Sequence, residues 1–91
     1  MPSLDMPLKC YPNPIQNNSI LEYTLPENGN VSIKIFDMNG NDCGVLFSGY
    51  QFRGAQKMNI FKNQNMQTSG VYFLSIILNQ KQKIHKILIT N

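Results

Sequence analysis

The chain has 91 residues, of which 42% are hydrophobic and 14% are charged, and its net charge is +3. This length fits one domain with a thin core, and the composition is too apolar for a disordered tail. No apolar run reaches the roughly 18 residues of a membrane span, so we expect no membrane span. One arginine and scattered lysines do not form the dense basic stripe of a nucleic-acid reader, so we expect no nucleic-acid partner.

The N-terminus, MPSLDMPLK, has neither the basic nor the apolar region of a secretory signal. We therefore expect either a cytoplasmic chain or a portion cut from a longer exported protein. Residues 1–8 are interpreted as a linker or as residues added for expression, and residues 9–91 as the domain.

Apolar and polar residues alternate along most of the chain, which is the pattern of strands with one buried face. A first strand is expected around residues 6–11. Two further strands are predicted over residues 19–25 and 30–37, each with one alternating set of side chains that faces the core. This set comprises Leu21, Tyr23, Leu25, Val31, Ile33 and Ile35.

Two short segments between strands combine asparagine with glycine. The segment PENGN, residues 26–30, predicts a tight hairpin because proline ends strand pairing and Asn28-Gly29 tolerates positive φ. The segment DMNGND, residues 37–42, predicts a second hairpin by the same device. Gly29 and Gly40 are therefore interpreted as turn glycines.

The second half of the chain predicts four more strands, three of them over residues 43–51, 55–61 and 83–90. A polar segment, residues 62–70, precedes the fourth. That strand, residues 71–79, is apolar on both faces and is expected to be central in its sheet. Seven strands about ten residues apart, with no helical period, predict an all-β sandwich of two sheets.

No arrangement of side chains predicts a catalytic residue, a cofactor or a metal site. His85 shares a strand face with apolar residues and is interpreted as a packed side chain, because no spacing pairs it with a nucleophile or an acid. DMNGND matches three calcium-loop positions but misplaces the glycine and lacks the closing glutamate. Cys10 and Cys43 are either a disulfide pair or two separate core residues.

Five motifs follow one another along the chain: YPNP, LEYTLPENGNVSIKIFDMNGN, GYQFRGAQ, SGVYFLSI and KIHKILI. From about Lys9 to Asn91, the chain resembles the type A C-terminal sorting domain of the type IX (Por) secretion system of Bacteroidetes. It departs from the family in having Ile15 where phenylalanine is common and Thr90 where a lysine often stands. The family-typical residues are Pro12, Asn13, Pro14, Gly29, Gly70, Val71, Tyr72 and Lys86.

The resemblance implies an Ig-like sandwich of about seven antiparallel strands that is a non-catalytic address label at the C-terminus of a larger cargo. It implies transit through the periplasm, recognition of the domain by an outer-membrane translocon, and removal by a sortase-type peptidase at the cell surface. The implied partners are the translocon, the peptidase and the N-terminal cargo domain, with the cargo reaching the cell surface or the medium. No cofactor is implied.

The YPNP segment has a physical interpretation of its own. Pro12 and Pro14 fix φ and remove two N–H donors, and Asn13 is expected to be extended because it precedes a proline. We expect this segment to hold the linker in one direction and to blunt a sheet edge that would otherwise pair with other cargo.

Two family-typical residues have structural alternatives. Tyr72 is interpreted as a core or corner tyrosine in preference to a contact residue. Lys86 is either a recognition residue or an inward-leaning edge lysine that opposes aggregation. For the whole chain, the alternative functions are a structural Ig-like assembly domain resembling that of flagellar hook-capping proteins and, third, a carbohydrate-binding module.

Overall fold

A computed structural model describes residues 2–15, 17–61, 63–66 and 68–90. Within these ranges the chain forms strands joined by short loops and one turn of 3-10 helix, Gln64–Met66. No helix among the described residues has the length and apolar character needed to cross a bilayer. The strands are β1 (Leu8–Tyr11), β2 (Asn18–Leu25), β3 (Gly29–Asp37), β4 (Asp42–Gln51), β5 (Gly54–Phe61), β6 (Gly70–Leu78) and β7 (Lys81–Ile89).

The strands form two antiparallel sheets, and the predicted all-β, Ig-like sandwich is confirmed. One sheet has three strands in the order β1-β2-β5, and the other has four strands in the order β4-β3-β6-β7. Strand β6 lies between β3 and β7, so the prediction that this doubly apolar strand is central in its sheet is confirmed.

The core lies between the sheets and is built by the alternating side chains of each strand. Side chains of β2 and β3 alternate between buried and exposed with a period of two, as strand geometry requires. Strands β6 and β7 extend the inner face of β3 in the four-stranded sheet, and this face packs against that of β2. Among the fully buried side chains are Leu21, Leu25, Ile33, Ile35, Leu74, Ile76 and Ile87.

The prediction of a tight hairpin at residues 26–30 is wrong. Strand β2 pairs with β1 and β5, whereas β3 pairs with β4 and β6, so this segment carries the chain from one sheet to the other. Neither Asn28 nor Gly29 has a positive φ. An alternating pattern on both sides of a loop is the same whether the two strands pair or face each other, and here they face each other across the core.

Two other connections are tight hairpins. Between β3 and β4, the Asp37 carboxylate accepts hydrogen bonds from the N–H groups of Asn39 and Asn41 over 2.8 and 2.9 Å, and Gly40 has φ +85°. The prediction for this segment is therefore confirmed. Between β6 and β7, Asn79 and Gln80 both have positive φ, of 48° and 72°, which is the geometry of a two-residue hairpin loop.

The residues before β1 pack against the sandwich. Leu4 and Met6 are each only 3% exposed. The N–H of Leu4 donates to the carbonyl of Gln82 over 2.8 Å, and the N–H of Gln82 donates to the carbonyl of Pro2 over 2.9 Å. This pairing runs parallel to β7 and covers the start of its open edge.

Candidate recognition surface

The YPNP segment carries the chain from the end of β1 to the open edge of β7 in the other sheet. The Ser19 hydroxyl, which is buried, donates to the carbonyl of Pro12 over 2.6 Å. The side-chain oxygen of Asn13 accepts from the N–H of Leu88 over 3.0 Å. The segment is thus held by β2 on one side and by β7 on the other. Both of its proline peptide bonds are cis.

Ile15 continues this contact as one rung of parallel pairing with β7. Its N–H donates to the carbonyl of Leu88 over 2.8 Å, and its carbonyl accepts from the N–H of Thr90 over 3.0 Å. Its side chain is fully buried. Asn13 and Ile15 therefore cover the second end of the β7 edge, and the role of the two prolines stays a prediction.

The SGVY motif starts β6 at the same end of the sandwich. Gly70 has φ +150°, a conformation that residues with a Cβ rarely adopt. The Tyr72 ring is buried, and its hydroxyl donates to the carbonyl of Thr68 over 2.7 Å. A buried tyrosine hydroxyl needs such a partner, and this geometry agrees with the interpretation of Tyr72 as a core or corner tyrosine.

Strand pairing brings most of the family-typical residues together. Val71 lies opposite Leu88, and Phe73 lies opposite Lys86, in the β6–β7 ladder. Because Asn13 binds the backbone of Leu88, the YPNP segment, the SGVY motif and the Lys86 region meet at one end of the four-stranded sheet.

Gly29 is the family-typical residue that lies elsewhere. It is buried at the start of β3, and a Cβ there would overlap the side chain of Asn79. That side chain donates to the carbonyl of Asn28 over 2.9 Å and accepts from the N–H of Asn30 over 3.3 Å. Gly29 therefore leaves the space that the Asn79 side chain occupies, and its interpretation as a turn glycine is wrong because it lies in β3 without a positive φ.

Lys86 does not lean inward. Its interpretation as an inward-leaning edge lysine is therefore wrong. It lies on β7, which is an edge strand, but its side chain is exposed. Its neighbours on the same face, Ile84 and Leu88, are 54% and 41% exposed. His85 and Ile87 lie on the opposite, inner face. The role of Lys86 in recognition stays a prediction.

The outer face of the four-stranded sheet is apolar around Lys86. Phe36 lies opposite Phe73 in the β3–β6 ladder. On β7, Lys86 lies opposite Phe73, and Leu88 lies opposite Val71. Opposed residues in a ladder share a face, as do residues two apart in a strand. We call this surface the outer patch; its residues are Phe36, Val71, Phe73, Ile84, Lys86 and Leu88.

Sequence reasoning missed the outer patch because it attributed the second apolar face of β6 to a central position with both faces covered. In the structure, Val71 and Phe73 on that face are only half-buried. Ile84 and Leu88, which flank Lys86 in the sequence with a spacing of two, were the signal that could have revealed it.

The outer face of the three-stranded sheet, unlike the outer patch, has charged side chains at its centre. Its centre is Glu22, which forms ion pairs with Lys9 over 3.3 Å and with Lys57 over 3.4 Å. Tyr11 also donates its hydroxyl to this carboxylate. That hydrogen bond, with the two lysines, lowers the pKa of Glu22. The Glu22 carboxylate is thus satisfied within the domain.

The reactive side chains do not assemble into a site. Cys10 and Cys43 are both free and buried, and burial raises the pKa of each thiol. The alternative of two separate core residues is the one the structure shows. No three metal-binding side chains cluster within the described ranges. His85 lies on the inner face of β7, where burial and Lys83 lower its pKa.

Comparison with known proteins gives one family and one fold. The model of the secretion system C-terminal sorting domain matches residues 9–90. No curated protein matches the sequence. The fold is similar to part of dimeric latent PorU from Porphyromonas gingivalis, with a TM-score of 0.67 and 15% identity; the match covers 91% of this chain and 9% of that one. The chain belongs to the family of C-terminal sorting domains that mark proteins for type IX secretion.

Proposed function

We propose that this domain is a non-catalytic secretion signal that directs a larger cargo, attached at its N-terminus, across the outer membrane by the type IX system. The observation that carries this proposal is the family match over residues 9–90. Domains of this family are generally non-catalytic. The cargo passes through the periplasm, and an outer-membrane translocon binds the folded domain. A sortase-type peptidase then removes the domain and leaves the cargo at the cell surface or in the medium.

The geometry is consistent with an address that is read in the folded state. The family-typical residues at the β7 end depend on contacts between segments far apart in the chain, such as Asn13 with Leu88. An unfolded chain would not present them side by side. A compact sandwich with a nearly complete core, by contrast, holds them in one arrangement.

The test is a fusion of the whole chain to the C-terminus of a periplasmic reporter in a host that has a type IX system. We expect the reporter outside the cell or on its surface. The matched control is the same fusion in a host from which the translocon gene has been deleted, where the reporter is expected in the periplasm. A reporter that stays in the periplasm of the intact host would overturn the proposal and favour an assembly role like that of the hook-capping domains.

The YPNP segment has a separate proposed role in recognition. Replacing Pro12 and Pro14 by alanine is expected to leave the sandwich folded, because Ile15 and Ser19 still anchor the segment, but to reduce export of the reporter. Circular dichroism reports the fold and cell fractionation reports export. Unchanged export of the folded double variant would refute this role.

A further inference from the structure

The two outer faces of the sandwich differ in polarity, although neither face contributes to the core. On the three-stranded sheet, Glu22 is paired with two lysines of the same face. On the four-stranded sheet, Ile84 and Leu88 expose 54% and 41% of their surface beside half-buried phenylalanines. Exposed apolar side chains that are grouped on one face of a domain are a feature of interaction sites.

The edge of β7 beside the outer patch does not favour strand addition. Its outward-facing backbone groups are paired with the domain itself at Gln82, by residues 2–4, and at Leu88 and Thr90, by residues 13–15. The open stretch between these two contacts is centred on Ile84 and Lys86. A strand added here would pair with the outward-facing groups of Ile84 and Lys86 alone, so it would gain few backbone hydrogen bonds. A partner that binds near Lys86 is therefore expected to pack on the outer patch and not to pair with the edge of β7.

The charges of the face favour a particular partner. Lys86 is exposed among apolar side chains, and the structure gives it no acidic neighbour among the described residues. Lys34, on the adjoining part of the same face, has one loose ion pair, 3.8 Å long, with Asp42. A partner that covers the face must supply the counter-charge for Lys86, because a buried lysine without one is unfavourable.

We propose that the outer patch is the surface by which a protein component of the export apparatus holds the folded domain, through apolar side chains flanked by carboxylates. This inference rests on the proposed function. A second copy of the chain fits less well, because a two-fold contact between identical patches places like-charged lysines on both sides.

The experiment compares reporter fusions of the whole chain that differ in one surface at a time. I84E/L88E places two carboxylates in the apolar part of the patch, and K86E reverses its charge. F61E is the matched control, because Phe61 is 59% exposed and lies on β5, the edge strand of the other sheet. K86R is the conservative control for the charge.

We expect I84E/L88E and K86E each to lower the exported fraction about tenfold, as loss of a central contact in an interface does. The reporter should then accumulate in the periplasm with the domain intact. F61E should be exported like the unaltered chain, and K86R, which keeps the positive charge, should be exported better than K86E. Thermal unfolding of each purified domain shows whether it folds; K86E alters an exposed side chain, so it keeps the test valid even if I84E/L88E unfolds.

Three outcomes would overturn the inference. If the unaltered chain is exported and the folded patch variants are exported equally well, the patch has no role, although the sorting function stands. If the unaltered chain itself stays in the periplasm, the sorting function fails and the inference fails with it. If sedimentation shows that the isolated chain is a dimer that I84E/L88E dissociates, the patch binds a second copy.

Discussion

Gly29 and Asn79 lie in close contact. The Asn79 side chain occupies the space that a Cβ at position 29 would fill, and from there it forms hydrogen bonds with the neighbouring residues. The Asn79 amide donates to the carbonyl of Asn28 and to the carboxylate of Glu27, over 2.9 and 3.0 Å, and its oxygen accepts from the N–H of Asn30. These bonds tie the β6–β7 hairpin to the segment that crosses between the sheets. A Cβ at position 29 would overlap the end of the Asn79 side chain, which would then have to move.

We therefore predict that Gly29→Ala lowers the free energy of unfolding by about 0.5–1.5 kcal/mol, the net contribution of a typical hydrogen bond, because these groups are exposed and water replaces a lost partner. Asn79→Gly keeps the positive φ of this turn position and removes the side chain that clashes. In the Asn79→Gly background, Gly29→Ala should cost much less. Urea unfolding of the four proteins in this cycle measures the coupling, and equal costs in both backgrounds would contradict the close-approach explanation.

His85 links stability to pH through its half-buried position. Burial, with the nearby Lys83, lowers its pKa below the ordinary value of 6.5. The folded domain therefore binds a proton at His85 less readily than the unfolded chain does. Its contribution to stability is fully present above pH 6.5 and is lost as the pH falls from there through the lowered pKa.

The expected result is a free energy of unfolding that decreases as the pH falls below 6.5. His85→Gln, which cannot titrate, should decrease less over the same interval. Denaturant unfolding at a series of pH values tests this. Identical pH profiles for the two proteins would show that His85 does not carry the dependence.

Strand β7 illustrates how an edge is closed by segments that are remote in sequence. Residues 2–4 pair with it near Gln82, and residues 13–15 pair with it near Leu88 and Thr90. Both contacts run parallel to β7. An edge closed in this way is protected from pairing with other chains, which is a hazard of exposed edge strands.

Asn13 makes one of these contacts through its side chain, so its role can be separated from that of the prolines. Asn13→Ala is expected to speed hydrogen exchange of the Leu88 amide about fivefold, because a bond worth about 1 kcal/mol is removed. The Gln82 amide, bonded to the carbonyl of Pro2 over 2.9 Å, is the internal reference and should not change. Asn13→Asp keeps the accepting oxygen and should preserve slow exchange. Unchanged exchange at Leu88 in the alanine variant would contradict this contact.

Whether residues 1–8 belong to the domain depends on what their side chains contribute to the core. The sequence assigns residues 1–8 to a linker, and the family match begins at residue 9. Leu4 and Met6, however, are each 3% exposed. In a domain of this size the core is small, so two such side chains are a considerable part of it.

Leu4→Ala is predicted to lower the free energy of unfolding by about 2–3 kcal/mol, as truncation of a buried leucine does. Leu88→Ala is the matched control, because this leucine is 41% exposed, and it should have a much smaller effect. Thermal or urea unfolding compares the two. Equal stabilities of Leu4→Ala and the unaltered chain would show that residues 1–8 are a linker outside the domain.

Much of the fold could be predicted from local patterns. The alternation in β2 and β3 identified their inner faces correctly, down to Leu21, Ile33 and Ile35, because the period of a strand is a property of its own backbone. Turn chemistry identified the hairpin at Asp37 for a similar reason. The family motifs were also readable in the chain, since they are short and occur in a fixed order.

The alternating residues and turn signals alone were enough to establish two packed β-sheets, because side-chain periodicity and turn preference act over a few residues. The assignment of strands to sheets was not accessible in this way, as the segment after Leu25 shows, because pairing joins residues far apart in the chain. For the same reason, the meeting of Asn13, Val71 and Leu88, and the exposure of the face around Lys86, emerged only from the folded molecule.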